Sequence, residues 1–64
     1  MNETEFLFTN QFNLAITRNY PSGSYTIKDL DDPMGYTCTY MGYSKQNALK
    51  QMRKDIRENR RNYA

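Results

Sequence analysis

The last twenty-one residues of the chain form one uninterrupted segment that favours a helix with clearly sorted faces. No proline or glycine occurs between Ser44 and Ala64, and residues of high helix propensity dominate there. At about 100° per residue, the apolar side chains fall on a stripe roughly 60° wide. These are Leu49, Met52, Ile56 and Tyr63. Because a short helix gains most of its stability from packing such a stripe, the rest of the chain must supply a surface to cover it.

Positive charge is concentrated on the arc of the helix beside this stripe. Residues 44–64 carry seven basic and two acidic side chains, whereas residues 1–43 carry two basic and five acidic ones. The net charge of +2 conceals this asymmetry. The residues on the basic arc are Lys50, Arg53, Lys54, Arg57, Arg60 and Arg61.

The first part of the chain alternates as half-buried strands do. The apolar residues that share one parity are Phe6, Phe8, Phe12, Leu14, Ile16 and Tyr20. Their alternation predicts one long strand, or two strands separated near residues 9–11, with these side chains on the buried face. A helix over Thr4–Asn10 is the alternative for the beginning of the chain. Pro21-Ser22-Gly23 predicts the first turn after these strands.

A hairpin is predicted in the middle of the chain. Its strands run over Tyr25–Leu30 and Tyr36–Met41, and residues 31–35, which contain Pro33 and Gly35, form the turn. Placing the apolar residues on one face requires Ile27 to pair with Cys38 and Tyr25 with Tyr40.

Together these elements predict an α+β domain spanning residues 1–64. Gly42-Tyr43 ends the sheet, and the Ser44 hydroxyl caps the helix by accepting a hydrogen bond from the amide of Gln46 or Asn47. The order is a three-stranded antiparallel meander followed by one long C-terminal helix on one face.

Size and cysteine usage limit how the fold is stabilised. A chain of 64 residues buries only about 60% of its unfolded surface, and such a core supplies roughly 3–5 kcal/mol. Cys38 is the only cysteine, so we expect it reduced and half-buried in a cytoplasmic protein. No apolar run is long enough for a membrane span, and no membrane association is predicted.

The side chains argue against catalysis. The chain has no histidine, and its glycines fit no phosphate-loop spacing. Asp29, Asp31 and Asp32 form an acidic cluster without the distant glutamate of a calcium loop. They are better explained as turn residues, with Asp32 capping the amide of Met34 or Gly35. We therefore expect no enzymatic activity, metal, cofactor or small-molecule substrate.

Six tyrosines suit a protein that makes interfaces. The strand tyrosines Tyr25, Tyr36 and Tyr40 are expected to complete the core. Those at element ends, Tyr20, Tyr43 and Tyr63, are expected to be accessible. The predicted partner-binding residues are therefore the basic arc together with Tyr43 and Tyr63.

The basic arc has three interpretations. It is an ordinary solvated face, it contacts nucleic-acid phosphates, or it docks on an acidic protein surface. Its four arginines favour bidentate contacts with carboxylate or phosphate. The leading hypothesis is a small non-enzymatic module, of the kind that phages and mobile elements encode, which binds and regulates or inhibits a protein partner. Direct nucleic-acid binding is the alternative.

Self-association is a further hypothesis, compatible with either function. The stripe, extended by Asn59, follows a 3-4-3-4 spacing that would let two helices pair as a homodimer. The competing interpretation is that this stripe faces the chain's own sheet.

One group of motifs resembles HicB-type antitoxin domains. It comprises Asp31 or Asp32 followed by Pro33 and Gly35, a strand, and then Gly42-x-Ser44-x-x-x-Ala48-Leu49. The segment Phe12–Thr17 followed by residues 21–25 is similar to the first hairpin of that family. The resemblance covers roughly Phe12–Ile56. It implies a β-β-β-α core and a protein-binding surface on the helix and sheet rim, but it assigns no functional residue.

Overall fold

The fold is α+β, with one antiparallel sheet and one C-terminal helix. The structure, a computed structural model, describes residues 2–63 but not the side chain of Tyr63. The elements are β1 (Glu3–Phe8), β2 (Asn13–Arg18), β3 (Tyr25–Asp29), β4 (Thr37–Tyr40) and α1 (Lys45–Tyr63). The strands neighbour one another in chain order. The predicted class and final helix are confirmed, but the sheet has four strands rather than three.

The additional strand arises because the chain reverses at Asn10 and Gln11. The Thr9 amide donates to the Phe12 carbonyl at 2.8 Å, and the Phe12 amide donates to the Thr9 hydroxyl at 2.9 Å. This tight turn leaves β1 and β2 as separate antiparallel strands. The two-strand interpretation of the beginning of the chain is therefore correct, and the helix over Thr4–Asn10 is wrong.

The same turn overturns the predicted burial of Phe6 and Phe8. Leu7 pairs with Leu14, and Phe6 pairs with Ala15. Because partners across a two-residue turn differ in parity, odd-numbered residues of β1 share a face with even-numbered residues of β2. Phe6 and Phe8 consequently lie on the face away from α1, where they are 60% and 68% exposed.

The central hairpin has the predicted register. Ile27 pairs with Cys38 and Tyr25 pairs with Tyr40, although each strand is shorter than predicted. The turn before β3 contains Gly23 at φ +75°, a conformation that glycine adopts without steric cost.

The core lies between one face of the sheet and the apolar stripe of α1. Its buried members are Phe12, Leu14, Ile16, Tyr25, Ile27, Tyr40, Ala48, Met52 and Ile56. Met52 and Ile56 are fully buried, which confirms the interpretation that the stripe faces the chain's own sheet. Met52 and Ile56 are therefore not accessible for pairing with another helix. Cys38 is half-buried, as predicted.

A polar contact at the rim of the core fixes α1 to the last strand. The Tyr40 hydroxyl donates to the Asp55 carboxylate at 2.6 Å, and Gln51 donates to the other carboxylate oxygen at 3.1 Å. Burial, reinforced by the hydrogen bond to Asp55, raises the pKa of Tyr40 above its ordinary value. No helix in the described part of the chain has the length and apolar character needed to cross a membrane.

Candidate binding surface

The orientation of α1 determines which cations face solvent. Its buried positions Ala48, Met52 and Ile56 point into the sheet. At 100° per residue, the opposite side of the helix carries four cations within roughly 60° of arc. These residues, here called the outer stripe, are Lys50, Lys54, Arg57 and Arg61. All four are exposed, and no salt bridge within residues 2–63 involves them.

The start of the helix is held as predicted. The Ser44 hydroxyl accepts from the Asn47 amide at 3.2 Å, and the Ser44 carbonyl accepts from the Ala48 amide at 2.8 Å. The ring of the preceding Tyr43 packs edge-on against Tyr40 with centroids 5.4 Å apart. This anchored ring is still 42% exposed, so Tyr43 presents a preorganised aromatic surface beside the helix.

A shallow cleft of about 550 Å³ joins Tyr43 to most of the outer stripe. Its lining residues are Tyr43, Asn47, Lys50, Gln51, Lys54 and Arg57. The cleft contains three cations, an aromatic ring and two amide side chains, but no carboxylate. This chemistry suits an anionic group that also offers a flat or apolar portion to the tyrosine ring.

Arg60 was predicted as a partner-binding residue, but the structure places it in an internal contact. Its guanidinium lies 3.6 Å from the buried carboxylate of Asp29 and 3.9 Å from the exposed carboxylate of Asp31. It also lies 5.4 Å from the centre of the Phe12 ring and donates to the Gln11 carbonyl at 3.5 Å. Arg60 therefore ties the end of α1 to two turns of the sheet.

Arg53 and Arg57 are intermediate between the cations that face only solvent and the internally bound Arg60. Arg53 is half-buried, and Arg57 lies 5.5 Å from the centre of the Phe12 ring. Both border a second cleft of about 430 Å³ at the turn between β1 and β2. Arg57 is thus the one member of the outer stripe that lines both clefts, while its contact with Phe12 limits the positions it can reach.

The tyrosines divide largely as predicted. Tyr25 and Tyr40 are buried in the core, and Tyr36 is half-buried. Tyr20 and Tyr43 are exposed. The side chain of Tyr63 lies outside the described part of the structure, so its predicted role is not addressed.

Sequence reasoning missed the role of Asp29. This residue is 1% exposed, its Oδ1 accepts from the Asp31 amide at 3.1 Å, and its Oδ2 has no hydrogen-bond partner within residues 2–63. The alternation of Tyr25, Ile27 and Asp29 was the available signal, because it places all three side chains on the buried face.

The other acidic turn residue differs from its prediction in detail. The Asp32 carboxylate accepts from the Tyr36 amide at 2.7 Å rather than from Met34 or Gly35, and its backbone carbonyl takes the Gly35 amide at 3.0 Å. The turn extends one residue further than the local motif suggests. Within residues 2–63, no group of three or more acidic, cysteine or histidine side chains is placed to hold a metal.

No known protein family, curated protein or solved structure matches the chain. The resemblance to HicB-type antitoxin domains thus stays a prediction, and the functional argument depends on the geometry of the chain itself.

Proposed function

We propose that the chain is a small non-enzymatic interaction module that binds and regulates a protein partner with an acidic surface. The observation that supports this most strongly is the outer stripe: four exposed cations on the side of α1 opposite the core, without a salt bridge in the described residues. By contrast, Lys45 is paired with Glu5 and Arg60 with Asp29, so other cations of the helix are already engaged.

Tyr43 adds contact area to this charged surface. Its ring is anchored by Tyr40 but remains accessible, so little conformational entropy is lost when a partner covers it. Tyrosine and arginine are enriched where protein interfaces gain their binding energy. The cleft that contains Tyr43, Lys50 and Lys54 is the proposed centre of the contact.

The proposal is tested by comparing two variants of equal net charge. Lys50→Gln with Lys54→Gln removes two cations from the outer stripe. Arg18→Gln with Lys28→Gln removes two exposed cations from the sheet. We call these the stripe variant and the sheet variant. The expected partners are proteins that the native chain and the sheet variant capture from a cell extract but the stripe variant does not. Capture of the same proteins by the stripe variant as by the native chain would show that the stripe is a solvated face.

Nucleic-acid binding is the second candidate, and the spacing of the outer stripe supports it. Lys50, Lys54, Arg57 and Arg61 follow one another at intervals of four, three and four residues, or about 4.5–6 Å along the helix. Such a continuous row of positive charge suits contact with a phosphate backbone. If all four cations contact duplex DNA, the logarithm of the binding constant should fall with the logarithm of salt concentration at a slope of about −3.6. Absence of binding at about 50 mM salt rejects this candidate.

A further inference from the structure

The first strand presents a free edge with exposed aromatic side chains. β1 lies at one end of the four-stranded sheet, and it is the longer of the two edge strands, with six residues against four in β4. Within residues 2–63, no strand pairs with its outer side. Such an edge is a ready template for another strand.

Hydrogen bonding in the hairpin shows which groups of β1 point outward. The Thr9 amide donates to the Phe12 carbonyl at 2.8 Å, so Thr9 and Phe12 form a hydrogen-bonded pair. Pairs alternate along an antiparallel ladder. Residues 3, 5 and 7 therefore bond to β2, whereas Thr4, Phe6 and Phe8 direct their N–H and C=O groups to the free edge.

The same residues carry the most exposed aromatic surface of the sheet. Phe6 and Phe8 are 60% and 68% exposed, and their rings stack with centroids 6.2 Å apart and planes within 4°. They lie on the face of the sheet opposite α1, beside Ala15. Pairing with another strand would both satisfy the free backbone groups of this edge and cover its exposed phenylalanine rings.

We propose that β1 pairs antiparallel with β1 of a second copy of the chain, with Phe6 opposite Phe6. In this register Thr4 of each copy faces Phe8 of the other. The three facing pairs each exchange two backbone hydrogen bonds through groups that otherwise point to water. The stacked Phe6 and Phe8 rings of one copy also become neighbours of those of the other copy on one face of the joined sheet, where aromatic cross-strand contacts are favourable.

Charge disfavours one of the two neighbouring registers, the one with Glu5 opposite Glu5. Shifting each strand to place Glu5 opposite Glu5 of the second copy would bring two carboxylates together in a non-hydrogen-bonded pair, where side chains are closest. With Phe6 opposite Phe6, Glu5 instead faces the uncharged Leu7 of the second copy. The two-fold axis is perpendicular to the sheet, so both α1 helices lie on the same face and both outer stripes stay accessible.

The native chain itself provides the test, through amide hydrogen exchange followed by NMR at increasing protein concentration. The amides of Thr4, Phe6 and Phe8 should exchange rapidly in dilute protein and become at least about tenfold more protected near 1 mM. Those of Glu5 and Leu7, already bonded to β2, should change much less. Rapid exchange of Phe6 at every concentration overturns the proposal, as does equal added protection of all five amides.

Sedimentation of two matched variants tests the role of the aromatic edge. Phe6→Lys places a charge at the proposed two-fold axis, whereas Met34→Lys places one on a side chain that is 77% exposed in the turn after β3. Self-association should be lost in Phe6→Lys and retained in Met34→Lys, with circular dichroism reporting that both are folded. Loss of association in both variants, or retention in both, contradicts the proposal, and the exchange measurement decides the matter if Phe6→Lys fails to fold.

Discussion

Replacing Arg60 with glutamine isolates the electrostatic contact that joins the end of α1 to the sheet. Asp29 is the one acidic residue within residues 2–63 that is buried, and the Arg60 guanidinium is 3.6 Å from its Oδ2 atom. Removing one partner of a fully buried ion pair costs about 3–5 kcal/mol. Because the Arg60 side chain is 47% exposed, water screens the pair, and we expect Arg60→Gln to cost about 1–3 kcal/mol.

That loss is a large part of the roughly 3–5 kcal/mol available to a domain of this size. Thermal unfolding followed by circular dichroism should show the midpoint falling by about 4–8 °C for each kcal/mol lost. Arg61→Gln is the matched control, since Arg61 is on the same turn of the helix without a salt bridge in the described residues, and it should change stability by no more than about 0.5 kcal/mol.

A second substitution shows whether the cost comes from the buried charge. Asp29→Asn removes the charge but keeps the oxygen that accepts from the Asp31 amide. Added to Arg60→Gln, it should restore part of the lost stability, because no unpaired carboxylate remains. If Arg60→Gln is no more destabilising than Arg61→Gln, or if Asp29→Asn makes it worse, the proposed internal role of Arg60 is wrong.

Three further predictions concern the core, alkaline pH and a turn. Met52→Ala should cost about 2–5 kcal/mol in urea denaturation because Met52 is fully buried, whereas the same change at exposed Met34 should cost less than about 0.5 kcal/mol. Because the pKa of Tyr40 is raised in the folded state, its contribution to stability should be fully present below its ordinary value of about 10 and be lost as pH rises further; Tyr40→Phe should make the alkaline loss of stability shallower, and an unchanged slope would refute this cause. Gly42→Ala should cost about 1–2 kcal/mol by thermal unfolding, from its φ of +77° alone, since nothing lies within 4 Å of the added Cβ; no loss would contradict the reasoning.

Local patterns predicted those parts of the fold that depend on near neighbours in sequence. The pairing of Ile27 with Cys38 followed from the alternation of the two strands and the length of the loop between them. The Ser44 cap followed from its position before a segment rich in good helix formers. In both cases the residues that decide the structure belong to one hairpin or to one helix start, so they are close in sequence.

Features that depend on how elements meet could not be predicted in the same way. The alternation of apolar residues placed Phe6 and Phe12 on the same face. A two-residue turn between them reverses which parity faces the helix, and neither phenylalanine determines the length of that turn. The helical angle of Arg60 placed it on the basic arc, but only the position of α1 over the sheet brings it to Asp29. The structure therefore leaves Lys50, Lys54, Arg57 and Arg61 exposed and without a salt bridge in the described residues, half-buries Arg53, and brings Arg60 beside Asp29.

The affinity of a captured partner for the two variants of equal charge tests the proposed binding surface most directly. Removing two solvent-exposed cations at about 0.5–1 kcal/mol each should weaken binding by Lys50→Gln with Lys54→Gln about 5- to 30-fold, mainly through slower association. The sheet variant, Arg18→Gln with Lys28→Gln, should bind within about twofold of the native chain. Equal weakening in both would mean that net charge, rather than the outer stripe, drives binding, and unchanged affinity of the stripe variant would contradict the proposal outright.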